Sequence, residues 1–290
     1  MKTFAKSAYG AFDLFFKTIV GIFSVIIFSR WSPEMSRVGA AKECVVLGNG
    51  PLLTKDMESA SRWQGKELMA VNNAALSSDF ERLRPGLYVT LDPYYWAEEI
   101  PESLRAEREL FFQTMSSKTV WPLTLYAPYE CEGSPLWEGL AGERHPYIKV
   151  VHFNRTPVAG FRGVRDYLYR RGLGMPWAQN VLVAACFLAV NLGYRTVYVV
   201  GADHSWHENV GVSPENVVFL SQHHFYDRAQ PEPVYQSDMK TPFKLHELFA
   251  AWARMFQGYG VVEEYARSRG TRIYNASSKS YIDAFERIRL

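Results

Sequence analysis

Four of the seven histidines in this 290-residue chain fall close together, as His204 and His207 in Asp203-His204-Ser205-Trp206-His207 and as His223-His224 ahead of Phe225-Tyr226-Asp227. An imidazole with a pKa near neutrality is suited to take a proton from a hydroxyl, and a neighbouring carboxylate can orient it. His224 is the first candidate for such a base, with Asp227 to orient it, and His204 is the second. Three further polar residues each follow a short apolar run: Asn49 in Cys44-Val45-Val46-Leu47-Gly48-Asn49-Gly50-Pro51, Asn72 after Leu68-Met69-Ala70-Val71, and Asp92 after Leu87-Tyr88-Val89-Thr90-Leu91. If the runs are adjacent parallel strands, these residues share one sheet edge, where α/β folds bind ligands. Taken singly, each serves equally well as the cap of a following helix. Asp203, His204 and His207 also offer donors to a cation. They lie on a turn without the helical i, i+4 spacing of H-E-x-x-H, and no Asp-x-Asp is present to hold a cation on a diphosphate, so no metal site is expected.

Positioning these residues requires alternating strands and helices, the pattern of a parallel sheet with crossover helices. Continuous apolar runs suit strands covered on both faces, and the glycines of Gly48-Asn49-Gly50-Pro51 would let backbone N–H groups approach a phosphate. Thr54 is placed to cap a helix over Met57–Trp63. Glu98 to Leu110 reads as a charged helix, and the stretch from there to residue 146 as irregular, rich in Pro and aromatics. A strand is expected at Ile148–Phe153 and a nearly all-apolar helix over Gln179–Leu192, stopped by Gly193. The next strand, Thr196–Val200, runs into Gly201-Ala202-Asp203 and repeats the arrangement at Gly48. Residues from 207 to about 242 show little periodicity, which suits a lid or acceptor-binding loop. Helices near Pro242–Phe256 and Val261–Arg269 and a short strand at Arg272–Tyr274 complete the pattern, and His246 reads as a structural residue on the first of those helices.

Composition narrows the function classes. Lys and Arg number 32 against 30 Asp and Glu, a formal net charge of +2, which argues against a dedicated nucleic-acid binder. Cys44, Cys131 and Cys186 lack C-x-x-C spacing, and two of them lie in apolar runs; this fits a reducing compartment without structural zinc. The chain lacks G-x-x-x-x-G-K-[ST] and G-x-S-x-G, which disfavours P-loop NTPases and nucleophile-elbow hydrolases. A Rossmann oxidoreductase would need a third glycine after Gly50 and an acidic residue after Val71, where Asn72 and Asn73 stand.

The amino-terminal segment differs in kind. Thr18–Ser29 is twelve uncharged residues, fewer than the roughly 20 that span a bilayer, and Asp13 and Lys17 interrupt its extension backward. Residues 1–42 are therefore expected to form a monotopic membrane-associating segment and linker, with the body in the cytoplasm at the inner membrane; a buried helix of the globular body is the alternative. Residues 43–290 are expected to form a single Rossmann-like (GT-A-like) α/β domain with a mainly parallel sheet flanked by helices and a lid at about 207–242.

Leu47-Gly48-Asn49-Gly50-Pro51, Val71-Asn72, Leu91-Asp92-Pro93, Gly193-Tyr194 and Gly201-x-Asp203 together resemble the bacterial sialyltransferases that decorate lipooligosaccharide. They are similar, too, to flagellin-modifying glycosyltransferases and to hydroxymethylpterin pyrophosphokinase-like proteins. The resemblance spans roughly residues 43 to 280 and rests on short motifs. It implies a metal-independent, inverting transfer of a sialic acid-like or Kdo-like sugar from a CMP-activated donor, without a further cofactor, to a glycan or lipid-linked glycan acceptor in lipopolysaccharide or capsule assembly. Asn49 and Asn72 would contact the donor, and Asp92-Pro93 replaces the family's Asn-Pro. The full donor-binding set is then Gly48, Asn49, Gly50, Asn72, Asp92, Gln179, Gly201, Asp203 and Tyr226, with Tyr226 serving the leaving phosphate and a histidine after the lid as base. A homo-oligomer is compatible with this reading. Two alternatives stand beside it: a pterin pyrophosphokinase-like enzyme using ATP and Mg²⁺, and a non-catalytic sugar-nucleotide-binding subunit.

Overall fold

The computed structural model describes residues 2–31, 42–140, 145–221, 231–236 and 238–290. The chain opens with helix α1 (Lys2–Phe28) and enters the sheet at β1 (Glu43–Leu47). The side chains of β1 alternate between two apolar layers: Cys44 and Val46 face one and Val45 and Leu47 the other, which is why the run has no polar position after Glu43. A short helix α2 (Leu53–Asp56), β2 (Glu67–Val71), α3 (Phe80–Leu83) and β3 (Leu87–Val89) follow. Next come α4 (Glu102–Lys118), β4 (Leu123–Pro128), α5 (Pro135–Glu138), β5 (Ile148–Phe153), α6 (Arg162–Arg170), α7 (Val181–Asn191) and β6 (Thr196–Val200). Three short strands, β7 (Val210–Val212), β8 (Val218–Ser221) and β9 (Pro231–Pro233), precede α8 (Leu245–Ser268), β10 (Arg272–Asn275) and β11 (Glu286–Arg287).

The central sheet has the order β11-β10-β6-β1-β2-β3-β4-β5, and every pairing in it is parallel. The chain moves outward from β1 to β5 on one side and then returns to β6 on the other. The order therefore reverses between β1 and β6, and the crevice at their carboxyl ends is where such sheets take ligands.

Helices cover both faces. On one, α7 is buried at all ten positions from Val181 to Val190, because the sheet lies on one side of it and α8 on the other. Gly258 of α8 makes that contact possible: a Cβ there would stand 3.0 Å from the Trp177 carbonyl and 3.2 Å from Val183. The opposite face is covered over β2–β5 by aromatic packing from α3, α4 and α5, including Phe80, Phe111, Phe112 and Trp137 against Tyr88, Leu123 and Leu125. Trp63 and Leu53 cover Val45, Leu47 and Val200 on the β1–β6 side.

Several local expectations are corrected. Thr54 caps no helix; α2 begins after Leu52, whose side chain makes no cap bond, and Met57–Trp63 is a 3-10 segment. The described residues from Leu110 to Leu140 include regular elements. Helix α4 continues to Lys118, and β4 joins the sheet between β3 and β5, with Pro128, which cannot donate, as its last residue. The two expected carboxyl-terminal helices are one, since α8 passes through Gly258 and Gly260 without a break. Within residues 207–242, whose sequence shows little periodicity, the described residues form a separate antiparallel sheet of β7, β8 and β9. Gly193 does end α7: it adopts φ +82° and donates its N–H to the Val190 carbonyl at 3.0 Å. Helix α1 extends back through Asp13 and Lys17, which pair one turn apart at 2.7 Å, and Gly10–Phe28 is long and apolar enough to cross a membrane.

Candidate functional site

The carboxyl ends of β1 and β6 are held together by glycines. Gly48 donates its N–H to the Val200 carbonyl at 2.8 Å, and Gly50 donates to the Gly201 carbonyl at 2.9 Å. A Cβ on Gly48 would fall 2.3 Å from the Gly201 oxygen, and one on Gly201, which adopts φ +63°, would fall 2.9 Å from the Gly48 oxygen. The amide of Leu52 is donated to Asp203 Oδ2 at 3.2 Å and that of Leu53 to the Gly50 carbonyl at 3.0 Å. These glycines therefore serve close backbone packing at the switch point. Their amides are spent inside the protein, whereas the sequence reading reserved them for a phosphate.

Asn72 follows β2 at φ +43°, a left-handed conformation that Asn tolerates better than most residues. Its Oδ1 accepts from the Leu91 N–H at 3.2 Å, and its Nδ2 donates to Asp92 Oδ2 at 2.5 Å, so one side chain links the ends of β2 and β3. Asn49 donates from Nδ2 to the Val71 carbonyl at 3.0 Å and links β1 to β2 in the same way. Neither Asn72 nor Asp92 makes a helix-cap bond. Burial, and after it the nearby Glu107 carboxylate, pushes the Asp92 carboxyl up to about 6. Burial likewise raises the pKa of Asp203, whose Oδ1 is enclosed without a hydrogen-bond partner.

Asn49, Gly50, Asn72, Asp92, Gln179, Gly201, Asp203 and His204 all line one cavity of about 650 Å³. Asn180 lines it as well and caps α7, accepting from the Leu182 and Val183 amides at 2.8 and 3.2 Å; Val181 and Leu182 bring the positive end of α7 to the wall. Leu248, Ala251, Trp252 and Met255 supply an apolar wall from one face of α8, joined by Trp206, Phe243, and Leu220 and Val234 around the small sheet. No Lys or Arg stands in the lining among the described residues.

His204, at φ +54°, is buried. Its Nε2 lies 2.7 Å from the Tyr259 hydroxyl and 3.3 Å from Asn180 Nδ2. Burial lowers the imidazole pKa to about 3. The ring is neutral at neutral pH and is a weak base. His207 is exposed and stands edge-on to Tyr281, their centroids 4.3 Å apart. His246 is exposed near the start of α8. His223, His224, Tyr226 and Asp227 lie outside the described residues. The sequence reading missed Asn180, Asn209 and the α8 wall; the i, i+3, i+4, i+7 spacing of Leu248, Ala251, Trp252 and Met255 was the available signal for a single helical face.

No protein-family model matches the chain, and no curated protein matches it. Among solved structures the chain is similar to the MAf glycosyltransferase from Magnetospirillum magneticum AMB-1, with 13% identity and a TM-score of 0.47. The similarity covers 91% of this chain and 37% of that one, so the chain spans little more than a third of that protein's length.

Proposed function

We propose that the chain is a glycosyltransferase that draws a sugar from a CMP-activated donor bound at the β1–β6 switch point. The observation that carries this reading is the meeting of Asn49, Asn72, Asp92 and Asp203 in a single cavity of about 650 Å³ there. Carboxamides and carboxylates are the partners that base edges and sugar hydroxyls require, and Trp206 and Trp252 provide faces on which a ring can stack. A diphosphate or triphosphate would call for cationic neutralisation. The described lining has none beyond the end of α7, which favours a donor with one phosphate over ATP.

In this reading an acceptor hydroxyl attacks the anomeric carbon as the bond from that carbon to the phosphate oxygen breaks. CMP leaves, and the hydroxyl proton passes to a base. His224 is the proposed base, Asp227 its orienting carboxylate and Tyr226 a partner of the leaving phosphate, chosen from the sequence around His223-His224-Phe225-Tyr226-Asp227. The segment around β7–β9 serves as a lid that excludes water from the reacting carbon. The acceptor is a glycan or lipid-linked glycan.

Thermal unfolding with CMP, UDP and ATP, each with and without Mg²⁺, tests the donor class. Stabilisation by CMP independent of Mg²⁺ is expected, and stabilisation by ATP with Mg²⁺ alone would replace this reading by a pyrophosphokinase. Release of CMP from a CMP-sugar in the presence of a glycan acceptor, lost in His224→Ala with CMP binding retained, separates an enzyme from a binding subunit.

A further inference from the structure

Helix α1 has three faces. Thr18, Gly21, Val25 and Ser29 recur at helical spacing and form a seam on the body. The Phe161 N–H donates to Thr18 Oγ1 at 2.7 Å, and Gly21 packs on Val158 and Ala159. Val25 enters the main core, and Ser29 Oγ is 2.6 Å from the Leu173 carbonyl and 2.7 Å from Thr156 Oγ1. Beyond the helix, Asn154 binds the backbone of Arg30 from both sides, accepting from its N–H at 2.8 Å and donating to its carbonyl at 2.7 Å. The approach at Gly160 is so close that a Cβ there would stand 2.6 Å from the Thr18 nitrogen. At about 100° per residue, a second face of about 160° between Phe12 and Phe28 carries Phe12, Phe15, Phe16, Ile19, Val20, Ile22, Phe23, Ile26 and Ile27 and no polar residue. All nine are exposed, Phe12, Ile26 and Ile27 by about two thirds. A narrow third face holds the Asp13–Lys17 pair and Ser24.

We propose that α1 lies flat in the boundary layer of a phospholipid membrane, its nine-residue apolar arc in the acyl region and its opposite side clamped to the body. A span across the bilayer over Gly10–Phe28 would carry the seam, with Asn154 and Thr156, into hydrocarbon. Freeing only residues 2–17 leaves too short a segment, interrupted by Lys6, Asp13 and Lys17. The polar side of an ordinary interfacial helix is here replaced by the protein itself. Lys17 pairs with Asp13 and Arg30 with Glu132 of the body, so the segment's excess positive charge is that of Lys2 and Lys6 in the sequence, which suits an anionic lipid surface and opposes a second copy of the same helix. Trp31, 74% exposed where the chain leaves the helix, sits as an interfacial anchor. The clamp fixes the orientation of the domain on the membrane, which a flexible leash would not.

Flotation of the full chain with vesicles of phosphatidylcholine, alone or mixed with phosphatidylglycerol, tests the surface. Binding is expected to be stronger to the mixed vesicles and to fall about tenfold or more when Phe12, Phe16 and Phe23 are changed to Ser. Depth is tested with Gly10→Cys, where nothing lies within 4 Å of a new side chain and the native cysteines Cys44, Cys131 and Cys186 are buried. A membrane-impermeant thiol reagent added on the side of the body should label Cys at position 10 without detergent. Labelling only after detergent overturns the flat placement in favour of a span. Absence of flotation, with a dimer that the triple Ser variant dissolves, overturns the lipid assignment in favour of a second copy.

Discussion

Gly50 and Asp203 are packed so closely that a Cβ on residue 50 would stand 2.1 Å from Asp203 Oδ2 and 2.6 Å from the Gly201 carbonyl. Gly50→Ala must therefore displace the carboxylate that accepts the Leu52 amide and loosen the turn from β6. The expected cost is about 1–3 kcal/mol, as for other overpacked sites, with weaker nucleotide binding. Gly163 in α6 gives the opposite sign, because nothing lies within 4 Å of a Cβ there. Gly163→Ala should stabilise by about 0.5–1 kcal/mol through helix propensity. Urea unfolding of the two variants checks both signs together.

Asp92, enclosed and close to the Glu107 carboxylate, makes stability depend on pH. In the fold the Asp92 carboxyl is pushed up to about 6, above the roughly 3.9 of an unfolded aspartate. The native state then holds this proton more tightly than the unfolded chain does. The contribution of Asp92 is complete below about pH 4, declines as the pH rises and is lost above about pH 6. Replacement by Asn removes the titration. Asp92→Asn should therefore gain melting temperature relative to wild type between pH 5 and pH 7.5, and a gap constant across that range would show that Asp92 does not titrate there.

Asp56 joins two loops to α2, since its Oδ2 accepts the Gly201 N–H at 2.7 Å and its Oδ1 the Ser278 N–H at 2.8 Å. Asp56 is buried, so Asp56→Ala leaves two amides without partners in a region closed to water. A loss of about 2–4 kcal/mol in chemical denaturation is expected, with Asp56→Asn intermediate because it keeps one accepting oxygen.

Residues that act through local pattern were legible. The runs ending at Leu47, Val71, Leu91 and Val200 read as buried strands because each is covered on both faces, and their parallel adjacency brought Asn49, Asn72, Asp92 and Asp203 to one edge as expected. What escaped depends on partners distant in sequence. β4 carries a proline at its end and is a strand by virtue of β3 and β5 on either side. α8 continues through Gly258, where the space a Cβ would fill is taken by Trp177 and by Val183 of α7. Asn180 falls inside the helix expected over Gln179–Leu192; it caps α7 instead, and its place in the site appears only where Tyr259, 79 positions later, brings its hydroxyl to 3.1 Å from the Asn180 Oδ1.

His204 lines the cavity as a neutral, buried imidazole. With its imidazole held at about 3 by burial, it accepts a proton far less readily than an ordinary histidine, while Nε2 is engaged by Tyr259 and Asn180. Because the unfolded chain protonates this histidine near 6.5 and the native state does not, stability should fall as the pH drops from about 6.5 toward 3. The informative substitution is Asn, which tolerates the φ of +54° that Ala would strain. His204→Asn should weaken that acid sensitivity and change kcat for sugar transfer by less than about tenfold, whereas His224→Ala should lower it by about 10²–10⁴. Steady-state rates with a CMP-sugar donor decide the point: an equal loss in the two variants would return His204 to the chemistry and require that ligand binding break its bond to Tyr259.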